Sequence, residues 1–205
     1  MQAGGSSQTV GALKAIFSLR RFVYPPVERC ELCRASLSGK HDHLLEIAAG
    51  QMRCACKSCA QSYGTAEEGF LPIASRKQRL SQFALSDAEW DGFQIPIDLA
   101  FLVRKGERLT ALYPGPAGIV QSEPDPSAWQ SLLAANPVLN ELQPEVEALV
   151  VNRVQGRREA YRLSIDHCFT LAGTMRSQWH GLSGGPKVWD EIARYFDIIG
   201  AGDHA

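Results

Sequence analysis

The chain has 205 residues, of which 45% are hydrophobic and 21% charged, and its formal net charge is −1. This composition is typical of a globular protein, and the nearly neutral charge argues against general electrostatic binding to nucleic acid. The sequence has no apolar run of the ~20 residues that a membrane span requires, and residues 1–9 lack the charged-then-apolar order of a secretory signal. We therefore expect no nucleic-acid partner, no membrane span and a location in the reducing cytoplasm.

The order of residues divides the chain into four predicted parts. Residues 1–18 are a flexible leader, rich in Gly, Ser and Gln, that runs into a short helix predicted at 11–21. A Cys-rich module follows at 19–64 and a connector at 65–82. Residues 83–205 alternate between strand-like and helix-like periodicity, which predicts an α+β domain.

Five of the six cysteines lie in the Cys-rich module, where two Cys-x-x-Cys pairs form its ends. The pairs are Cys30 with Cys33 and Cys56 with Cys59. Two residues between cysteines let both sulfurs of a tight turn face one ion, and two such turns complete a tetrahedron. The residues between the pairs are expected to form a small hairpin around 48–50, so the module is predicted to be zinc-ribbon-like.

Zinc is the metal expected at these four cysteines, with iron or an iron–sulfur cluster as the alternative. Two disulfides are the other interpretation of the pairs, but they would need an oxidising compartment, and the sequence shows no export signal. Cys54 is a surplus thiol that could replace Cys56 as a ligand, supply a fifth ligand or be buried. Cys54 and Cys56 are two residues apart, so on a strand their side chains would point to the same face. His41 and His43 lie between the pairs, and solvated loop histidines are their simpler interpretation.

The larger domain is predicted to contain an antiparallel or mixed sheet with packed helices. Ser86 and Glu89 have the spacing of a capping box. Predicted strands lie at 95–103, 108–113, 119–122, 146–154 and 159–163, and predicted helices begin near Asp125, Asp166 and Val188.

Two features of this domain invite a functional interpretation. Residues 181–185 form a Gly-rich loop before the last helix, where Ser183, Gly184 and Gly185 could hold an anion; a structural turn is favoured because no P-loop Lys follows. Asp166, His167 and Cys168 are adjacent, but neighbours on a helix do not face one another. No catalytic constellation emerges, which favours a non-enzymatic role.

Eight motifs, taken in order, resemble an uncharacterised bacterial family encoded beside [NiFe]-hydrogenase genes. They are residues 20–23 (RRFV), 28–33 (ERCELC), 41–45 (HDHLL), 54–59 (CACKSC), 113–118 (YPGPAG), 145–153 (EVEALVVNR), 165–168 (IDHC) and 179–185 (WHGLSGG). The resemblance implies an accessory protein for assembly or maturation, or an associated subunit, whose partner is a hydrogenase subunit or maturation factor. The alternative is a rubredoxin-like or iron–sulfur electron carrier. In rubredoxin-like sites, Gly usually follows each cysteine pair. Here Arg34 and Ala60 follow the two pairs, which weakens that alternative.

Overall fold

The fold is described from a computed structural model for residues 28–106, 108–115, 118–181 and 184–201. The leader, the helix predicted at 11–21 and Ser183 lie outside the described residues. Within the described parts, helices combine with two antiparallel sheets, which confirms the predicted α+β class.

The first sheet has three strands, β1 (Asp42–Glu46), β2 (Gln51–Ala55) and β3 (Phe70–Ile73), in the order β2-β1-β3. β1 and β2 form the hairpin that was predicted between the cysteine pairs. Successive residues of β1 face opposite sides, as strand geometry requires. Leu44 packs among the cysteines, whereas Leu45 joins the core of the larger domain.

The second sheet has six strands in the order β4-β9-β8-β5-β6-β7. Their bounds are β4 (Lys77–Arg79), β5 (Leu99–Lys105), β6 (Arg108–Gly115), β7 (Gly118–Ser122), β8 (Glu147–Asn152) and β9 (Glu159–Ser164). Every pairing between neighbours is antiparallel. The five predicted strands of this domain correspond to β5–β9, which confirms them within a few residues.

Two hydrophobic cores lie on the two faces of this sheet. Central strands β5 and β8 are buried on both sides, so they read as continuous apolar runs rather than alternating ones. Phe101 and Val150 belong to one core, and their chain neighbours Leu102 and Leu149 belong to the other. The sheet is therefore the middle layer of the domain.

Five helices complete the described residues, together with 3-10 turns at Pro137–Glu141 and Val154–Gly156. The α-helices are α1 (Lys57–Tyr63), α2 (Asp87–Gly92), α3 (Pro126–Ala135), α4 (Ile165–Gln178) and α5 (Pro186–Ala201). Ser86 and Glu89 form the predicted capping box of α2. Buried residues of α4 and α5 cover the face that also receives Leu45 and Ile73 from the first sheet.

The segment at 65–82, predicted as a connector, carries two of the strands. β3 pairs with β1 in the Cys-rich module, and β4 pairs with β9 in the larger domain. The three-stranded sheet of the Cys-rich module therefore extends past residue 64 into this segment. The sequence pattern did not predict these strands because β3 has four residues and β4 has three, and such short strands do not show a clear alternation of apolar and polar residues.

Candidate metal centre

The first cysteine pair lies in a tight turn at the start of the described chain. The backbone N–H of Arg34 donates to the carbonyl of Cys30 at 2.8 Å, and the N–H of Cys30 donates to the carbonyl of Ala35 at 2.8 Å. Arg34 has φ 67°, a left-handed conformation that a chain reversal of this kind needs. This turn orients both sulfurs of the pair toward one point.

The second pair lies in the first turn of α1 rather than in a second tight turn, which differs from the sequence expectation. Cys56 is the N-cap residue and Cys59 lies three positions further on. Residues three apart on a helix share a face. Both sulfurs therefore point the same way, as in a turn, although the backbone is helical.

Together these elements place Cys30, Cys33, Cys56 and Cys59, the four-cysteine group, with all sulfurs within 4.8 Å of one another. The sulfurs of Cys33 and Cys56 are 3.7 Å apart. Zn–S bonds of about 2.3 Å at tetrahedral angles put two sulfurs about 3.8 Å apart. All four thiols are free, and the group could hold one metal ion.

The electrostatics of the group favour a thiolate at one position. Burial opposes ionisation of Cys30, but backbone N–H groups of Cys56, Cys33 and Leu32 outweigh it and lower the pKa of this thiol to about 6. Burial, followed by hydrogen bonds that the Cys59 thiol donates to the other sulfurs, raises the pKa of Cys59 to about 12. Backbone donors aimed at one sulfur are a preformed environment for anionic sulfur.

Cys54 falls outside the four-cysteine group. β2 ends at Ala55, and Cys56 already belongs to the helix start, so the strand rule that would align Cys54 with Cys56 does not apply. Cys54 lies on the opposite face of β2 from Ala55, which packs among the cysteines. Burial, followed by the charges of Glu31, Glu28 and Cys30, raises the pKa of the Cys54 thiol.

Cys54 instead forms a second group with His41 and His43, which we call the His–His–Cys group. One nitrogen of each histidine and the sulfur of Cys54 lie within 4.8 Å of one another. His43 and Cys54 are directly opposite in the β1–β2 register, and the two imidazole rings have centroids 4.8 Å apart. Sequence analysis missed this group; the signal that could have found it is a His-x-His alternation facing a cysteine across a hairpin.

Cys168 lies on the buried face of α4. Its thiol is in the hydrophobic core, and burial, then the charge of Asp166, raises its pKa. The ring Nδ1 of His167 lies 2.9 Å from the Tyr195 hydroxyl. Because Cys168 is both inaccessible and held as a thiol, it is a core residue rather than a nucleophile.

The Gly-rich loop also has a packing role. Gly184 has φ 86°, and a Cβ atom there would lie 2.7 Å from Cγ1 of Val188. Gly185 is likewise left-handed at φ 77°. These positions need glycine for the chain reversal between α4 and α5. A nearby apolar cavity of about 570 Å³ has lining residues that include Ile97, Tyr113, Val120, Trp179 and Trp189.

Fold and site together define an α+β protein with a Cys-rich module that could hold a metal ion. The chain belongs to the family described as "Family of unknown function (DUF5947)", which it matches over residues 29–202. Comparisons with curated proteins and with solved structures found no match. Among the helices in the described residues, none is long and apolar enough to cross a bilayer.

Proposed function

We propose that this protein is a non-enzymatic, cytoplasmic metal-binding accessory protein in which the four-cysteine group holds one structural zinc ion. The observation that carries this proposal is the convergence of four free thiols at a spacing that fits tetrahedral Zn–S coordination. Four protein ligands leave no open position for a substrate, so the site suits a structural ion.

The small core of the module supports a structural role for the ion. Its buried members are Cys30, Leu44, Ala55 and Cys59, so two of the four are themselves candidate ligands. The core among the cysteines therefore contributes little toward the ordering of residues 28–64, although the other face of the hairpin packs on the larger domain through Leu45. A bound ion would add to the stability of the module, since metal binding to thiolates contributes directly to folding.

The partner we propose is a subunit or maturation factor of a [NiFe]-hydrogenase, and the role is assembly, maturation or association with the enzyme. Support comes from the eight ordered sequence motifs, which extend from residue 20 in the module to residue 185, just before the last helix. The test is hydrogen uptake in a hydrogenase-producing host that lacks this chain. Wild type should restore uptake and a Cys33→Ala/Cys56→Ala variant should not. Unchanged uptake without the chain would refute the hydrogenase assignment.

The zinc assignment is tested by elemental analysis and a visible spectrum of protein purified without oxygen. We expect zinc and a colourless solution. Iron with thiolate-to-metal absorption would contradict structural zinc.

An electron carrier is the second candidate, and one observation favours it specifically. Cys33 is exposed, so a redox metal in the four-cysteine group would have a ligand at the protein surface for electron exchange. The left-handed conformation of Arg34 also allows the N–H···S contacts without glycine. Reversible bleaching of an iron absorption band on reduction would support this candidate, and a protein with no iron would exclude it.

A further inference from the structure

Strand alternation separates the His–His–Cys group from the four-cysteine group. On β1, His43 and Leu45 share one face, and their partners across the hairpin are Cys54 and Met52. Leu45 belongs to the core of the larger domain and the partly buried Met52 packs against it, whereas Leu44 belongs to the cysteine core. The His–His–Cys group therefore lies on the side of the first sheet that faces α4, so it is a separate cluster of donor atoms.

His41 is held with one nitrogen free and buried. Its Nδ1 lies 3.0 Å from the carbonyl oxygen of Ser38, so Nδ1–H donates, and in the neutral ring Nε2 then carries the lone pair. The His41 side chain is only 8% exposed, and among the described residues Nε2 has no hydrogen-bond partner. A buried polar atom without a partner is unusual in a folded protein. A metal ion bound to Nε2 would satisfy it.

His43 is oriented in a similar way by a residue from the larger domain. Its Nδ1 lies 3.7 Å from Oδ2 of Asp166, at the start of α4. For His41, Oε2 of Glu28 is 3.6 Å from Nδ1, in addition to the Ser38 carbonyl. Histidines that bind metals typically direct their other ring nitrogen at a carboxylate or carbonyl oxygen, which fixes the ring and increases its basicity.

We propose that His41, His43 and Cys54 form a second metal site, which takes a zinc-like divalent ion through two imidazoles and one thiolate and leaves one coordination position open. Imidazole and thiolate together favour borderline ions such as Zn²⁺ over Mg²⁺ or Ca²⁺. Three protein ligands with an exchangeable fourth are typical of zinc sites that bind a water or a substrate.

A cavity of about 490 Å³ touches this group only through His41. Its lining also includes Cys56 of the four-cysteine group, and neither His43 nor Cys54 is among its lining residues. Space for a small oxygen or nitrogen ligand at the open position is therefore present beside His41. The open position distinguishes the site from the four-cysteine group, whose ligands would all come from the protein.

The test is a titration of the full chain with Zn²⁺ against a reporter chelator, without oxygen and under reducing conditions, followed by titration with Co²⁺. We expect two equivalents of Zn²⁺ per chain in wild type and one equivalent in Cys54→Ala and in His41→Ala. His180→Ala, which removes an exposed histidine whose Nδ1 contacts the Gln178 carbonyl, should still bind two. Cobalt spectra of wild type should show a component with mixed nitrogen and sulfur ligation that both site variants lack.

The outcomes separate this proposal from the four-cysteine assignment. If Cys54→Ala and His41→Ala bind as much Zn²⁺ as wild type, the second site does not exist. If wild type binds one equivalent and Cys54→Ala binds none, the second site stands and the four-cysteine assignment fails. Should either variant fail to fold by circular dichroism, the wild-type cobalt titration decides, because a single sulfur-only species would overturn the proposal.

Discussion

The carboxylate of Asp166 lies beside the ring of His43, with Oδ2 3.7 Å from Nδ1, and joins α4 to the first sheet. Asp166→Asn removes the negative charge of the carboxylate. It retains a side-chain oxygen that can accept from the backbone N–H of His167, as Oδ1 of Asp166 does at 2.9 Å. Loss of such a carboxylate typically weakens metal affinity by about 10- to 100-fold. We expect that reduction for Zn²⁺ at the His–His–Cys group, measured by chelator competition.

Asp190→Asn is the control for this change, because Asp190 is an exposed residue of α5. It should leave both zinc affinities unchanged. Equal effects of the two substitutions would show that Asp166 acts through general charge rather than through His43.

Metal removal should affect the two sheets unequally. The buried core among the cysteines has four members, two of them candidate ligands, whereas the six-stranded sheet has large cores on both faces. After a chelator removes the metal, β1 and β2 should lose protection against amide hydrogen exchange, while β5 and β8 keep theirs. Hydrogen exchange with mass spectrometry measures this directly. Unchanged protection in the hairpin would mean that its fold does not depend on metal.

Removal of one partner from a buried ion pair should destabilise the larger domain. Nε of Arg162 donates to Oε2 of Glu147 at 2.7 Å, and these side chains are 7% and 3% exposed. Glu147→Gln leaves the buried guanidinium without its closest carboxylate. Breaking a buried pair from one side costs about 3 kcal/mol, which chemical denaturation would detect as a lower free energy of unfolding.

The matched control is Glu123→Gln. Glu123 pairs with Arg108 at 3.9 Å, but the two side chains are 61% and 79% exposed. Surface pairs contribute little to stability, so no measurable change is expected. A similar loss in both variants would contradict the assigned importance of burial.

Gly184 should resist substitution for two reasons. It has a left-handed φ, and a Cβ atom would lie 2.7 Å from Cγ1 of Val188. Overpacking and strain of this kind cost about 2 kcal/mol. Thermal unfolding of Gly184→Ala should therefore show a lower Tm than wild type.

Gly173→Ala provides the comparison, because Gly173 lies within α4 and its added Cβ would meet nothing within 4 Å. Ala favours helix by up to about 1 kcal/mol over Gly, so Tm should stay the same or rise. A Gly184→Ala variant as stable as Gly173→Ala would show that the loop can repack.

The sequence predicted the four-cysteine group because a short spacing brings two sulfurs together in either a turn or a helix. The sequence could not show which group the Cys54 side chain joins, since this depends on where β2 ends and on the register of the hairpin. A loop confined to residues 48–50 would put Leu44 opposite Cys54, but the turn covers residues 47–50 and puts His43 there. A shift of one residue exchanges the faces of a strand.

The larger domain was predictable where its pattern was long and regular. The capping box of Ser86 and the apolar runs of β5 and β8 identify their elements locally. In contrast, β4 has three residues, and its pairing with β9 depends on contacts distant in sequence. Local pattern carries no information about such pairings.

X-ray absorption at the zinc edge of the Cys54→Ala variant tests the central claim most directly, because this variant isolates the four-cysteine group. We predict four sulfur neighbours at about 2.3 Å, with no nitrogen or oxygen in the first coordination sphere. Nitrogen or oxygen neighbours at about 2.0–2.1 Å would contradict four-thiolate coordination, as would an absence of zinc.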